Sequence, residues 1–427
     1  MKAVMAAPAL KRVGTLMGGT VLGQLAVFAV TPILTRLYAP EAFNDFGIYL
    51  AISGVFSVIA TLRLEAAIPI ARDNADAFNL TRVAFKTSCV IAILAIMLTF
   101  YVLSTGFLVV KSNPLIFSLL VGISVLLIGA FQAISALQVR HDGYSVIARA
   151  KAAQGGVLAF GQVAIGFLFS APIALVMGDV CSRIAGLSSS LNLYRRETKV
   201  QSVQNNLVVL SNYLNFPKFS APAALINSLG TQAPIFLLGI FFTPSSVGFY
   251  VFANRLIAIP VSLIATTLGQ VFLGELGKAL SSGSSIFTVV SRYFRISILL
   301  VICFSLVSIP LNTLLSPFIL GDKWRASIPI INALLIMAIF QVPISTISQT
   351  LNSLGRNSWQ LAWDIIRIVL VTAAISFSSI FSKNLNLVIY VYVTASIVAY
   401  IILLGLIYSS VKRHIVLDPS RSEASRK

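Results

Sequence analysis

Residues 115–139 read LIFSLLVGISVLLIGAFQAISALQV, an uncharged run that opens after Pro114 and closes on Arg140. A bilayer core takes about 20 apolar residues as a helix, so this stretch reads as a membrane span. Working outward, comparable runs lie near 13–35, 46–70, 88–110, 152–170, 172–191, 219–241, 246–272, 294–316, 327–351, 360–381 and 386–409. The expectation is an all-α polytopic membrane protein of about 12 transmembrane helices. Spans five and six meet at Ser170-Ala171-Pro172 with no charge between them, and a hairpin is expected there. The chain is 57% hydrophobic and only 10% charged, far beyond the apolar share of a soluble domain.

A net charge of +18 would point to a nucleic-acid partner in a soluble protein. Here the Lys and Arg sort onto every second break between apolar runs. Twenty-two of the 31 fall on one side, among them Lys11, Arg12, Arg72, Arg140, Arg195, Arg196, Lys199 and Arg413. Arg36, Lys111, Lys323, Arg325 and Lys383 fall on the other, and four Arg lie inside spans. The positive-inside rule then places both termini in the cytoplasm, with membrane lipids and no nucleic acid as partners. Lys11-Arg12 precede the first full-length run, the pattern of an uncleaved anchor.

No external loop exceeds about a dozen residues by these boundaries, which excludes enzymes that need a large external domain. No G-x-x-x-x-G-K-[ST] phosphate loop is present. His141 and His414 lack metal-ligand spacing, and Cys89, Cys181 and Cys303 lie inside spans with no CxxC spacing. Asp73 and Asp76 read as a solvated turn. No catalytic residues, metal site or cofactor are expected, and the chain reads as a transporter rather than an enzyme.

The long basic break divides the spans six and six: an N-terminal lobe at 1–195, a cytoplasmic linker at 196–218, a C-terminal lobe at 219–410 and a tail at 411–427. A weak internal echo fits duplication. Gly47 and Tyr49 match Gly248 and Tyr250, while Leu137, Arg140 and His141 pair with Leu351, Arg356 and Asn357. Parallel halves of this kind can rock about a central cavity.

Ionisable groups inside spans cost about 2.5–3.5 kcal/mol each at a helix centre, so they mark sites or partners. Asp179 and Arg183 share a helix face four residues apart, and Asp364 and Arg367 do so three apart. Self-neutralisation that merely permits burial explains both pairs equally well. Arg63 and Glu65 lie near the cytoplasmic end of span 2, where snorkelling suffices. Arg255 falls near the midplane of span 8 with no acidic residue within a turn in the sequence. It reads as a cation for an anionic ligand, and a guanidinium matches a diphosphate. Gln24, Gln132, Asn227, Gln232, Asn254, Gln270, Gln341 and Gln349 add hydrogen-bonding capacity.

These residues carry a resemblance. The stretch LTRLYAPEAFNDFGIYLAISGVFSVIATLRLEAAIPIAR at 34–72 resembles the opening of bacterial polysaccharide-biosynthesis flippases, the Wzx-type O-antigen and capsule exporters. YLNFPKFSAPAALINSL at 213–229, GFYVFANRLIAIPVSLIATTLGQVFLGE at 248–275, GDKW with LNSLGRNSWQLAWDIIR within 321–367, and GDVCSRIAG at 178–186 are similar to it in order. The resemblance implies a MATE-like bundle of two six-helix lobes in the bacterial inner membrane, working by alternating access. The implied substrate is an undecaprenyl-diphosphate-linked oligosaccharide for O-antigen, capsule or exopolysaccharide assembly. A polysaccharide polymerase and a chain-length regulator are the implied protein partners. It carries the family's recurrent charges onto Arg63, Arg183, Arg255 and Arg367 as cavity cations. Asp179, Asp364 and Glu65 become candidates for H+ or Na+ coupling or simple counter-ions. The chain departs from the usual Pro-Glu-x-Phe-Gly at Asn44-Asp45, an apparent insertion in the first external turn. A MATE-like exporter of small organic cations is the alternative; its cavity should be acidic, against the surplus of Arg here. A non-transport scaffold has no need of a buried Arg255.

Overall fold

The structure, a computed structural model, describes residues 14, 18–169, 171–197 and 212–417. Lys2, Lys11, Arg12, Ser170, Lys199 and the tail beyond residue 417 lie outside the described residues, as do the side chains of Arg195 and Arg196. Every regular element among the described residues is helical.

Helices α1 (Gly18–Ala29) and α2 (Thr31–Leu37) meet at a 40° bend. They are followed by α3 (Pro40–Ser57), α4 (Leu64–Ala67), α5 (Asn74–Ser104), α6 (Pro114–Arg140), α7 (Tyr144–Leu168), α8 (Ile173–Glu197) and α9 (Ala221–Phe241). Beyond them run α10 (Pro244–Ser282), α11 (Ile286–Leu320), α12 (Ile328–Ile347), α13 (Gln349–Ser353), α14 (Asn357–Phe381) and α15 (Leu385–Leu417). Among the described residues 8 helices are long and apolar enough to cross a membrane, or 9 with the bent pair α1 and α2. The chain is therefore an all-α, multi-pass membrane protein. Helices α3, α7 and α8, on the expected second, fifth and sixth spans, fall outside that set.

Local chemistry sets the helix ends. Pro40 and Pro114 open α3 and α6 at positions where the missing N–H costs no helical bond. Asn113 caps α6 by accepting from the Leu115 and Ile116 amides at 3.0 and 3.3 Å. Asp73 caps α5 by accepting from Asp76 N at 2.7 Å. The Asp73/Asp76 pair is thus a helix start with Asp76 buried, not a solvated turn. The expected hairpin between spans five and six coincides with the break between α7 and α8, which pack on each other.

The expected single helix at 46–70 needs correction. Helix α3 stops at Ser57, the chain turns, and Leu62 and Arg63 take left-handed φ of 52° and 63° before α4. Such a conformation costs a non-glycine residue roughly 1–2 kcal/mol, so surrounding contacts must hold it. Ser88 on α5 donates to the Ala60 carbonyl at 3.1 Å. Arg140 at the end of α6 donates to the Pro69 and Ala71 carbonyls at 3.3 and 2.8 Å and to Asn74 Oδ1 at 2.8 Å. Leu64, Ala67 and Ile68 are fully buried in a cluster with Leu80, Ala133 and Leu137.

Packing divides the chain into two compact units, Met1–Gly248 and Phe249–Lys427. In the first, α3 lies against α6, α8 and α9. Small residues permit the closest approaches. A Cβ on Gly155 of α7 would sit 2.1 Å from Gly23 Cα, and one on Gly19 would sit 2.2 Å from the Ala148 carbonyl. Gly19 and Gly23 form a G-x-x-x-G stripe, the means by which membrane helices bring backbones together. Asn44 and Asp45, the apparent insertion, lie inside α3 without interrupting it. Asp45 accepts from Lys111 N, Ser112 N and Ser112 Oγ at 2.6 to 3.1 Å, and Asn44 donates to the Val109 carbonyl at 2.9 Å. The extra residues fasten α3 to the α5–α6 connection.

The second unit pairs α11 with α12 and α14 with α15. One end holds Phe272, Leu276, Val290, Ile347, Leu351, Trp363, Leu403 and Ile407, with Trp359 packed against them. Elsewhere in the unit Trp324 of the GDKW stretch is 1% exposed, its ring 4.4 Å from that of Phe252.

Candidate functional site

In the first unit α3, α6 and α8 converge on Asp179. Arg183, one turn along α8, donates from Nε to Asp179 Oδ2 at 2.5 Å. The Tyr49 hydroxyl of α3 donates to the same oxygen at 2.6 Å and lies 2.8 Å from Ser124 Oγ of α6. Tyr49 and Ser124 are fully buried. A carboxylate in this setting is tolerable only because two donors meet it. The Asp179 and Arg183 side chains are 8% and 20% exposed, so the guanidinium is the more accessible of the two. Gln162 holds the neighbouring helices: its Nε2 donates to the Leu175 carbonyl at 3.0 Å, and its own carbonyl accepts from the Tyr38 hydroxyl at 2.7 Å.

Arg63 and Glu65 pair at 3.1 Å beside the left-handed turn, and Thr61 Oγ1 donates to the same Glu65 carboxylate. The Arg63 side chain is 37% exposed against 17% for Glu65.

In the second unit Arg367 and Asp364 pair at 3.4 Å on α14, both under one-fifth exposed. The Arg367 guanidinium lies 4.8 Å from the Trp363 ring centroid and donates to the Tyr400 hydroxyl. Trp363 Nε1 donates to the Ala399 carbonyl at 2.7 Å, which fixes the ring. Tyr250 of α10 hydrogen-bonds with Tyr392 of α15. Arg255 is half-buried on α10, about 11 residues or ~16 Å from its first residue. It also interacts within the fold.

Three of the four expected cavity cations thus carry a carboxylate within 4 Å, and each of the three acidic residues proposed for coupling is one of those partners. Sequence reasoning missed Tyr49, Ser124, Trp363, Tyr392 and Tyr400. Tyr49 and Tyr250 enter the sequence reading only as a repeated Gly-x-Tyr, and that repetition is the available signal. Of the polar residues expected to line a cavity, Gln24 Oε1 and Gln132 Oε1 are buried atoms with no hydrogen-bond partner among the described residues.

Outside the expected spans, Ser245 at the start of α10 hydrogen-bonds to Glu41 of α3, and this bond holds the Glu41 carboxyl below the usual range. Burial pushes the Asp45 carboxyl upward, against the pull of its donors.

Comparison with known proteins bears on this arrangement. Residues 33–329 match the family described as polysaccharide biosynthesis protein. The teichuronic acid biosynthesis protein TuaB of Bacillus subtilis (strain 168) is 26% identical over 250 residues, 58% of this chain and 51% of that protein. The chain thus matches about half the length of this relative. Among solved structures, an inward-facing multidrug resistance MATE family transporter superposes with a TM-score of 0.72 at 14% identity, covering 95% of this chain and 98% of that one. The lipid II flippase MurJ in an inward closed conformation gives 0.69 at 13% identity, covering 96% and 88%. The fold is thus MATE-like, and the structural neighbours are transporters or flippases. With the family match extending over more than half its length, the chain belongs to the polysaccharide biosynthesis protein family.

Proposed function

We propose that the protein is a flippase that carries undecaprenyl-diphosphate-linked oligosaccharide repeat units from the cytoplasmic to the periplasmic leaflet of the bacterial inner membrane. Both termini lie in the cytoplasm in this reading, twelve helices form the two lobes 1–195 and 219–410, and alternating access moves the cargo for O-antigen, capsule or exopolysaccharide assembly. The observation that carries it is the charge balance of the ionisable groups singled out in the expected spans: Arg63, Arg183 and Arg367 each meet an acid, and Arg255 adds a further guanidinium. A surplus of guanidinium favours an anionic diphosphate over the organic cations of a MATE-like exporter, which would need the opposite balance. The paired arginines keep planar donors for phosphate while their carboxylates lower the cost of burial.

The test is complementation of a strain lacking the gene. Arg255→Ala is expected to insert normally and to abolish surface glycan; wild-type glycan from that variant overturns the assignment. Coupling belongs to the paired acids Asp179, Asp364 and Glu65. Proteoliposome transport is expected to respond to a pH or sodium gradient, and indifference to both removes that role.

A further inference from the structure

We propose that Arg356, Trp359 and Arg413 form a seat for the phosphate group of a lipid at the membrane surface. It lies on the face that the charge pattern assigns to the cytoplasm. The reading rests on the membrane location of the chain, and its phospholipid arm is independent of what the protein carries. Two guanidinium groups from helix ends 57 positions apart in the sequence converge on one indole: Arg356 at 4.8 Å and Arg413 at 5.0 Å from the Trp359 ring centroid. The two cations are therefore no farther apart than the sum of those distances.

The geometry is built in. Helix α13 ends through Gly355 at φ 71°, and Arg356 N donates to the Leu351 carbonyl at 2.8 Å. That turn sets Arg356 at the N-cap of α14. Trp359 is pinned against the buried cluster of the second unit, and Arg413 comes from the last turns of α15. Neither arginine has an ion pair or side-chain hydrogen bond among the described residues. Attraction to the ring holds a guanidinium over its face and leaves the edge N–H groups unused. Two such cations on one ring repel each other until an anion meets both. The forks suit phosphate oxygens, and the exposed Asn357 and Ser358 stand at the start of α14, where unpaired helix amides add further donors. A half-buried indole against apolar side chains, with charged groups at its rim, is the arrangement of an interface between acyl chains and headgroups.

One chemistry, a lipid phosphate, has two sources: a resident anionic phospholipid or a prenyl diphosphate. Native mass spectrometry of the purified full chain in neutral detergent separates them, with phosphatidylglycerol, phosphatidylcholine, a short-chain prenyl diphosphate and inorganic phosphate as probes. Wild type is expected to retain phosphatidylglycerol over phosphatidylcholine. R356Q/R413Q is expected to lose about tenfold in apparent affinity, and R356K/R413K, which keeps charge and folding, to fall between them. Lys412→Gln, which removes an exposed neighbouring charge, is expected to change nothing. Tighter binding of the prenyl diphosphate than of phosphatidylglycerol assigns the seat to that lipid. Equal retention by wild type and R356Q/R413Q, an equal loss in Lys412→Gln, or competition by inorganic phosphate alone overturns the proposal.

Discussion

Asp179 shows how a charge survives inside an apolar helix. Its carboxylate has a guanidinium one turn away and a phenol from another helix, and both reach the same oxygen. Removing one partner of a buried pair strands the other, which costs about 3–5 kcal/mol, whereas removing both is far milder. Arg183→Gln should therefore lower the thermal midpoint of the purified protein sharply, and Asp179→Asn/Arg183→Gln should recover most of the loss. A double variant no more stable than the single one would contradict the pairing. Both should still fail to support glycan assembly, which separates the functional from the structural role. The pair itself was legible from its i, i+4 spacing. Tyr49 was not, because an aromatic residue in a membrane helix ordinarily packs against its neighbours, and its hydroxyl partner lies 130 positions away.

At the scale of elements, the apolar runs announced where helices lie but not where they end. Helix α5 begins at Asn74, well before the expected 88, because Asp73 caps it and Arg82 lies over Phe78 at 4.7 Å, so the helix extends beyond the apolar window. Helix α10 likewise runs on to Ser282, with Glu275 and Lys278 paired at 3.3 Å on its polar end. Hydropathy marks the bilayer, while caps and side-chain pairs mark the helix. The break in the second span was illegible for another reason. Val58 to Arg63 contains neither Gly nor Pro, and what holds it are Ser88, Arg140 and Glu65. The α1–α7 contact gives the sharpest test. Gly155→Leu forces a side chain onto Gly23 and should cost about 1–3 kcal/mol in thermal stability. Gly156→Ala, with nothing within 4 Å of its added Cβ, should be silent.

Across the whole molecule, one helix end in each compact unit closes in the same way. Asp142 and Gly355 both adopt a left-handed φ, and the amides that follow, Gly143 and Arg356, donate to Gln138 and Leu351. Both helix ends thus close with the same turn, matching Gln138 to Leu351 and Gly143 to Arg356. The sequence echo, which pairs Arg140 and His141 with Arg356 and Asn357, lies three positions from this correspondence. Similarly, Pro40 and Pro244 both open helices, while the matched Gly47 and Gly248 sit at different distances along them. The turn needs only a residue that tolerates φ above zero, so it recurs without shared side-chain identity. Fold class and family were legible because hydrophobic length and motif order extend over the whole chain. The site was legible only in its charges, because the hydroxyls and rings that complete it come from distant helices.

The left-handed pair at Leu62 and Arg63 has a mechanical consequence. A continuous helix transmits torque along its axis, and this one is cut. The segment below the cut is clamped, with Leu64, Ala67 and Ile68 fully buried and Arg140 holding the carbonyls at Pro69 and Ala71. The segment above carries Tyr49 and begins beside Gly248, whose added Cβ would lie 1.8 Å from the Pro40 carbonyl. A rotation of α3 would therefore not pass through a continuous helix into α4, and the Tyr49–Asp179 contact lies on the other side of that break from the anchored segment.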